Sequence, residues 1–416
     1  MLKGNIHDNL VSTSASAPEP TGVGGWPDVV PTLHRNIAGR DPLAAVELMK
    51  GVPKLNERRD LEGLSALLKK LLDPQRLGLG DVVRALPGDG PVVAPSWEFE
   101  DCAAAMRDVG LVLGSLRRHG VEPVEMWPQL EPWLLEVGRR TDLPPRDTLL
   151  HYTLWNPSRA VRTYTSLAEE PRLIEAVRMA YPALESALEN LVGLFSTPLE
   201  SPDFEAGTDR IAVDLGRVRD AAVHTYRFVD RRVFVDSIRP YFEPIRVGGR
   251  DILGPGAVGM PLFVLDHVLW SASVTEPEYV RFKEDYLPIT LPHIRRIYDR
   301  FSEEGCLIDR LQPVLRSAGW ARRLSPQLRR NLQGLDRLFV LLQRFRSVHL
   351  RMAKQAYREP PAGERVFHKG SGGYAPEMLE DIDRLTARAR GELTKWLVPP
   401  GALADPLTLA KGVSDE

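Results

Sequence analysis

The sequence predicts an all-α fold, and three observations carry that expectation. Apolar residues recur at i, i+3, i+4 and i+7 through most of the 416 residues. Alternating strand patterns closed by Asn-Gly or Asp-Gly turns are scarce. The 35 prolines fall mostly between the helical stretches, where a residue without an amide proton belongs.

Taken in order, residues 1–33 are rich in Ser, Pro, Gly and Thr without an apolar period, which predicts a disordered tail. Residues 34–146 predict a smaller N-terminal helical domain. Within it, 101–118 place Ala105, Met106, Val109, Leu113 and Leu116 on one stripe that stops at His119-Gly120. The segment LPPRDT (143–148) predicts a boundary, followed by a larger helical domain over 147–402. That domain contains a helix at 171–195 with Pro171 in its first turn, one or two helices over 206–238, and a long helix over 331–357. Between them, 239–261 is dense in Gly and Pro yet too apolar for a plain linker. A second Gly-rich stretch, Gly370-Ser371-Gly372-Gly373, precedes the last helical pattern, and 403–416 read as a C-terminal tail.

Composition excludes several function classes. Lys and Arg total 54 against 56 Asp and Glu, a net charge of −2, so no basic face for nucleic acid or an anionic membrane is expected. Two cysteines, Cys102 and Cys306, exclude a disulfide framework, an iron–sulfur cluster and a multi-thiolate zinc site. No apolar run reaches the roughly 18 residues of a membrane span, and the N-terminus has no secretory h-region. These features predict a soluble, cytoplasmic protein. No H-x-x-x-H, H-E-x-x-H, G-x-S-x-G or Walker A pattern occurs.

The chemistry then rests on few residues. Helix 335–357 places Leu335, Leu338, Phe339, Leu342, Phe345, Met352, Ala353 and Ala356 on one stripe, and His349 sits on that stripe. A lone histidine on an apolar face is more often a core residue than a ligand. The alternative is an imidazole ligating the iron of a flat hydrophobic cofactor, with Arg346 one turn earlier and Tyr357 eight residues later near its propionates. His224 and His267, both on helical patterns, are the next candidates. Arg239, where a helical pattern meets the Gly/Pro loop, suits a bidentate carboxylate contact or a structural ion pair. Ser371 offers a hydroxyl within a loop whose glycines permit close approach to a ligand. His151-Tyr152-Thr153-Leu154-Trp155 is an aromatic patch or an ordinary core element.

FRSVHLRMAKQAY (345–357) followed by HKGSGGYAPEML (368–379) resembles the haem segment of the indoleamine/tryptophan 2,3-dioxygenase superfamily. Phe234 and Arg239 match that superfamily's distal Phe and carboxylate-binding Arg. LLHYTLWNP (149–157), IRPYFEPIRVGG (238–249) and LGPGAVGMPLFVLDHVLW (253–270) are similar to the branch that rearranges the indole ring in pyrrolnitrin biosynthesis, a likeness running over about 34–395. The resemblance implies haem b with His349 as proximal ligand and Arg346, Tyr357, Gly372 and Gly373 around the cofactor. It implies that Ser371 is the catalytic distal residue and also touches substrate. Arg239 then holds the substrate carboxylate while Phe234, Tyr152 and Trp155 pack on the indole. The implied substrate is L-tryptophan or 7-chloro-L-tryptophan, the product an aminophenylpyrrole, with dioxygen as cosubstrate and a reductant for the iron. Val235 replaces the dioxygenases' second distal Phe, which points away from kynurenine-forming cleavage. An oxygenase for another indole and a non-catalytic haem carrier remain the competing readings.

Overall fold

The computed structural model describes residues 26–41, 46–73, 93, 95–318, 324–356 and 373–397. The elements in chain order are α1 (Trp26–Gly39), α2 (Val46–Met49), α3 (Val52–Arg58), α4 (Leu61–Leu71), α5 (Phe99–Arg118), α6 (Pro123–Met126), α7 (Leu130–Thr141) and α8 (Leu149–Tyr152). They continue with α9 (Glu169–Ser196), α10 (Pro202–Phe228), a π-helical turn (Val233–Ile238), a 3-10 turn (Arg239–Phe242) and the hairpin β1 (Ile245–Val247) and β2 (Arg250–Ile252). The remainder is α11 (Leu262–Asp266) running into a second π-helical turn (His267–Ser271), then α12 (Pro277–Tyr286), α13 (Pro292–Glu304), α14 (Leu307–Ala318), α15 (Pro326–Ala356) and α16 (Pro376–Thr394). The fold is all-α, and that hairpin is the only sheet among the described residues. No described helix is long and apolar enough to cross a membrane.

Two expectations change. The sequence reads 26–33 as tail, yet α1 begins at Trp26. Its buried residues Val30, His34 and Ile37 recur at helical spacing, and His34 Nε2 lies 3.0 Å from Glu185 Oε2 on α9. That packed stripe outweighs the proline-rich composition. The rest of the tail, 1–25, and 403–416 lie outside the described residues. The single stripe expected on α5 is also too narrow: Cys102 to Leu116 are all buried, including Arg107 and Asp108. Ala and Gly fill the other faces, so neighbours close on every side.

The core of the larger layer is an in-order packing of α9, α10, α15 and α16. α9 and α10 run antiparallel and approach closely where Gly207 meets Leu194; a Cβ on Gly207 would stand 2.4 Å from Leu194 Cδ2. α10 and α15 run parallel and touch where a Cβ on Gly334 would stand 2.3 Å from Thr208 Oγ1. The bundle is therefore close-packed at that end. Leu335, Leu338, Phe339 and Leu342 of α15 fill it, each no more than 1 % exposed.

The smaller layer packs α3, α4, α5 and α7 around a second cluster that also takes in Tyr152, Tyr164, Ile174 and the stretch Ile238–Val247. The packing thus crosses residue 146 in both directions. In segment 143–148, Leu143, Arg146, Asp147 and Thr148 are buried, Arg146 fully so; its Nη1 donates to the carbonyls of Glu243 (2.6 Å) and Ile252 (3.1 Å) and so holds the Gly/Pro stretch in place.

Candidate active site

At the other end of the bundle the same helices part around a cavity of about 350 Å³, within the usual range for small-molecule sites. α9 contributes Leu173, Ala176, Val177, Ala180 and Leu184, and α10 contributes Val218, Ala221, Ala222 and Thr225, each set at helical spacing. The room comes from small side chains on facing stripes. Pro182 lies between Ala180 and Leu184 within α9 and removes one backbone hydrogen bond at cavity level. The two π-helical turns flank the cavity: Phe234 lies in the first, and Asp266 immediately precedes the second. Such turns re-aim side chains by inserting one residue into a helix.

α15 supplies Phe345, Arg346, His349, Met352 and Ala353 to the wall. Its apolar stripe is continuous, but beyond Leu342 it faces the cavity rather than the core. His349 is half-buried because its ring borders the cavity, and its ring contact is with Phe345, centroids 5.8 Å apart. It makes no hydrogen bond to the described residues. Burial, and then the Arg346 charge, hold its imidazole below the usual range, which keeps it neutral at pH 7 with a lone pair available.

Arg346 is buried and its guanidinium is taken by Asp266 and by Thr386 of α16. Asp266 also accepts from Trp270 Nε1 at 3.0 Å. The opposite wall is aromatic: Phe282, Tyr286 and Tyr374 stand with centroids 4.7–5.6 Å apart, and Tyr374 donates to Asp285. Tyr374 follows Gly373, whose positive φ of 81° suits glycine at the entry to α16.

The structure brings together His349, Arg346 and Phe234 of the residues singled out in sequence. It does not bring in Tyr152 or Trp155. Tyr152 donates to Glu170 at 2.9 Å, and Trp155 donates from Nε1 to His34 at 2.8 Å. Neither borders the cavity, because both face the seam between the two layers. Arg239 is 8 % exposed, one π-helical turn beyond Phe234, and does not line the cavity. Arg246 and Arg250 are exposed on the hairpin. His267 stacks on Tyr298 at 3.9 Å and His224 packs on Phe228 at 4.8 Å, both away from the wall. Tyr357, Ser371 and Gly372 lie outside the described residues. Sequence reasoning missed Asp266; its signal was a single acid inside the apolar run LFVLDHVLW (262–270).

A family model described as Monodechloroaminopyrrolnitrin synthase PrnB matches residues 34–395. The chain belongs to the monodechloroaminopyrrolnitrin synthase family. The match runs from α1 through α16, so both layers and the whole cavity wall fall within it.

The cavity suits a flat apolar group with one axial ligand. No group of three His, Cys, Asp or Glu side chains able to hold a metal occurs among the described residues. A proximal imidazole in an apolar pocket is one way of holding a haem iron, and the neutral, cavity-facing His349 with its apolar surroundings has that donor chemistry.

Proposed function

We propose that the chain is a haem-dependent enzyme that rearranges L-tryptophan or 7-chloro-L-tryptophan to an aminophenylpyrrole in pyrrolnitrin-type biosynthesis. The observation that carries this reading is membership of the synthase family over residues 34–395. Haem b, when bound, supplies the oxidative chemistry, with dioxygen as cosubstrate and an external reductant.

The remaining work belongs to the chain. His349 would hold the iron through its neutral ring. Arg346, clamped by Asp266 and Thr386, fixes the α15 turn that presents His349 and places a cation one turn away. Phe234 offers a face to the indole, and the alanine-rich wall excludes water. In this reading Ser371 would contact substrate, and Tyr357, Gly372 and Gly373 would border the cofactor.

The test is direct. The reduced, haem-loaded protein is incubated with tryptophan or 7-chlorotryptophan under oxygen, and products are read by mass spectrometry. An aminophenylpyrrole product is expected. Kynurenine-type products would replace this reading with ring-cleaving oxygenation, and tight haem binding without turnover would replace it with a carrier.

A further inference from the structure

The cavity wall is apolar apart from a small set of charged groups. Arg346 and Asp266 neutralise each other. One cation is left over among the described lining residues: Arg231, between the end of α10 and Phe234. It has no ion pair with a described carboxylate. The adjacent Asp230 is turned to the backbone, accepting from the amides of Arg232 (2.8 Å) and Val233 (3.1 Å). The Arg231 guanidinium instead lies 5.3 Å from the centre of the Tyr226 ring, a contact that leaves its forked donors available.

An apolar cavity with one uncompensated guanidinium at its wall favours a ligand that is large, apolar and singly anionic. The planar fork of arginine matches a carboxylate with two parallel hydrogen bonds. We propose that Arg231 binds the carboxylate of an aromatic acid seated in this cavity. Resting on the functional reading above, that carboxylate belongs either to the amino-acid substrate or to a cofactor propionate. The sequence placed the clamp at Arg239, which is buried outside the wall; Arg231 borders the same space as Phe234 and His349.

Calorimetry on the full chain separates these sources. The ligands are L-tryptophan against tryptamine, and haem against its dimethyl ester; the second of each pair lacks the carboxylate. Arg231→Gln is expected to weaken one carboxylate-bearing ligand by about tenfold or more while its partner ligand binds within about twofold of wild type. The responding pair identifies the source. Arg239→Gln run in parallel should leave that ligand unchanged. The proposal is overturned if Arg231→Gln binds both carboxylate ligands as wild type does, or if it loses the carboxylate-free ligands equally. If Arg231→Gln lacks a cooperative melt, Arg231→Met is read by the same criterion. Absence of haem binding by the wild type would sink the haem reading while the tryptophan pair still judges Arg231; binding of none of the four ligands would sink both.

Discussion

Two regions of this protein, the seam between its layers and the cavity, treat charged groups differently. In the seam between the layers each buried carboxylate is met by several donors, although Arg146 Nη2, His151 Nε2 and Arg162 Nη1 find no hydrogen-bond partner among the described residues. Asp108 meets Arg107 at 2.9 Å and Arg162 at 2.8 Å. Glu170 accepts from Tyr152 (2.9 Å), the Tyr164 and Thr165 amides (2.7 and 2.8 Å) and the Thr165 hydroxyl (2.6 Å). In the cavity, His349 has no such partner and Arg231 no carboxylate among the described residues. Saturated polar groups specify how the layers dock. His349 and Arg231 are only half-buried, so their polar atoms stay open to solvent or to a ligand.

Stability measurements on the unloaded chain can break this contrast. The largest loss is expected for Asp108→Ala, which strands two buried guanidinium groups. Urea unfolding should show a drop of about 3–5 kcal/mol; a drop below about 1 kcal/mol would place Asp108 outside any working network. Acidification comes next. Burial is the first cause that holds His151, His267 and His293 down to about 3, from an ordinary 6.5. The unfolded chain therefore binds protons that the folded one refuses, and stability present above pH 6.5 is lost as pH falls toward 3. Urea midpoints should fall steeply across that window, and less steeply in His267→Gln.

Trp155→Phe removes the donor to His34 and should cost about 1–2 kcal/mol in the same assay. The smallest change is expected for His349→Ala. The half-buried ring gives up only its contact with Phe345 and no hydrogen bond to a described residue, so the unloaded chain should stay within about 1 kcal/mol of wild type. The same variant should lose haem-binding absorbance. A large loss of stability there would recast His349 as a core residue.

How much of this was legible in sequence follows the same division. The helical period gave α5, α9 and α15 to within about five residues at each end, since their apolar stripes are long, whereas the stretch read as one or two helices over 206–238 is α10, ending at Phe228, and a separate π-helical turn. It also marked His349, a polar residue on an apolar stripe. What a stripe faces is another matter. Leu342 and Phe345 read alike, yet one is in the core and the other on the cavity, a difference set by what α9 and α10 place opposite each. Tyr152 and Trp155 read as ligand aromatics, whereas their polar atoms are used across more than a hundred residues of sequence in Trp155–His34 and within the α8–α9 turn in Tyr152–Glu170. The π-helical turns left no periodic trace, so the different fates of Phe234 and Arg239 could not be read from a spacing of five.

The alanines on the cavity wall have one more consequence. Ala176, Ala180, Ala221, Ala222 and Ala353 sit on regular helices, and no described loop has to move to alter the space they enclose. Ligand size is therefore adjustable in small steps, by exchanging one of these residues for the slightly larger Ser, Val or Leu on a fixed backbone. Relatives that accept a ring with or without a bulky substituent would need to differ at only one or two such positions, and a chemist reshaping substrate choice has five independent dials.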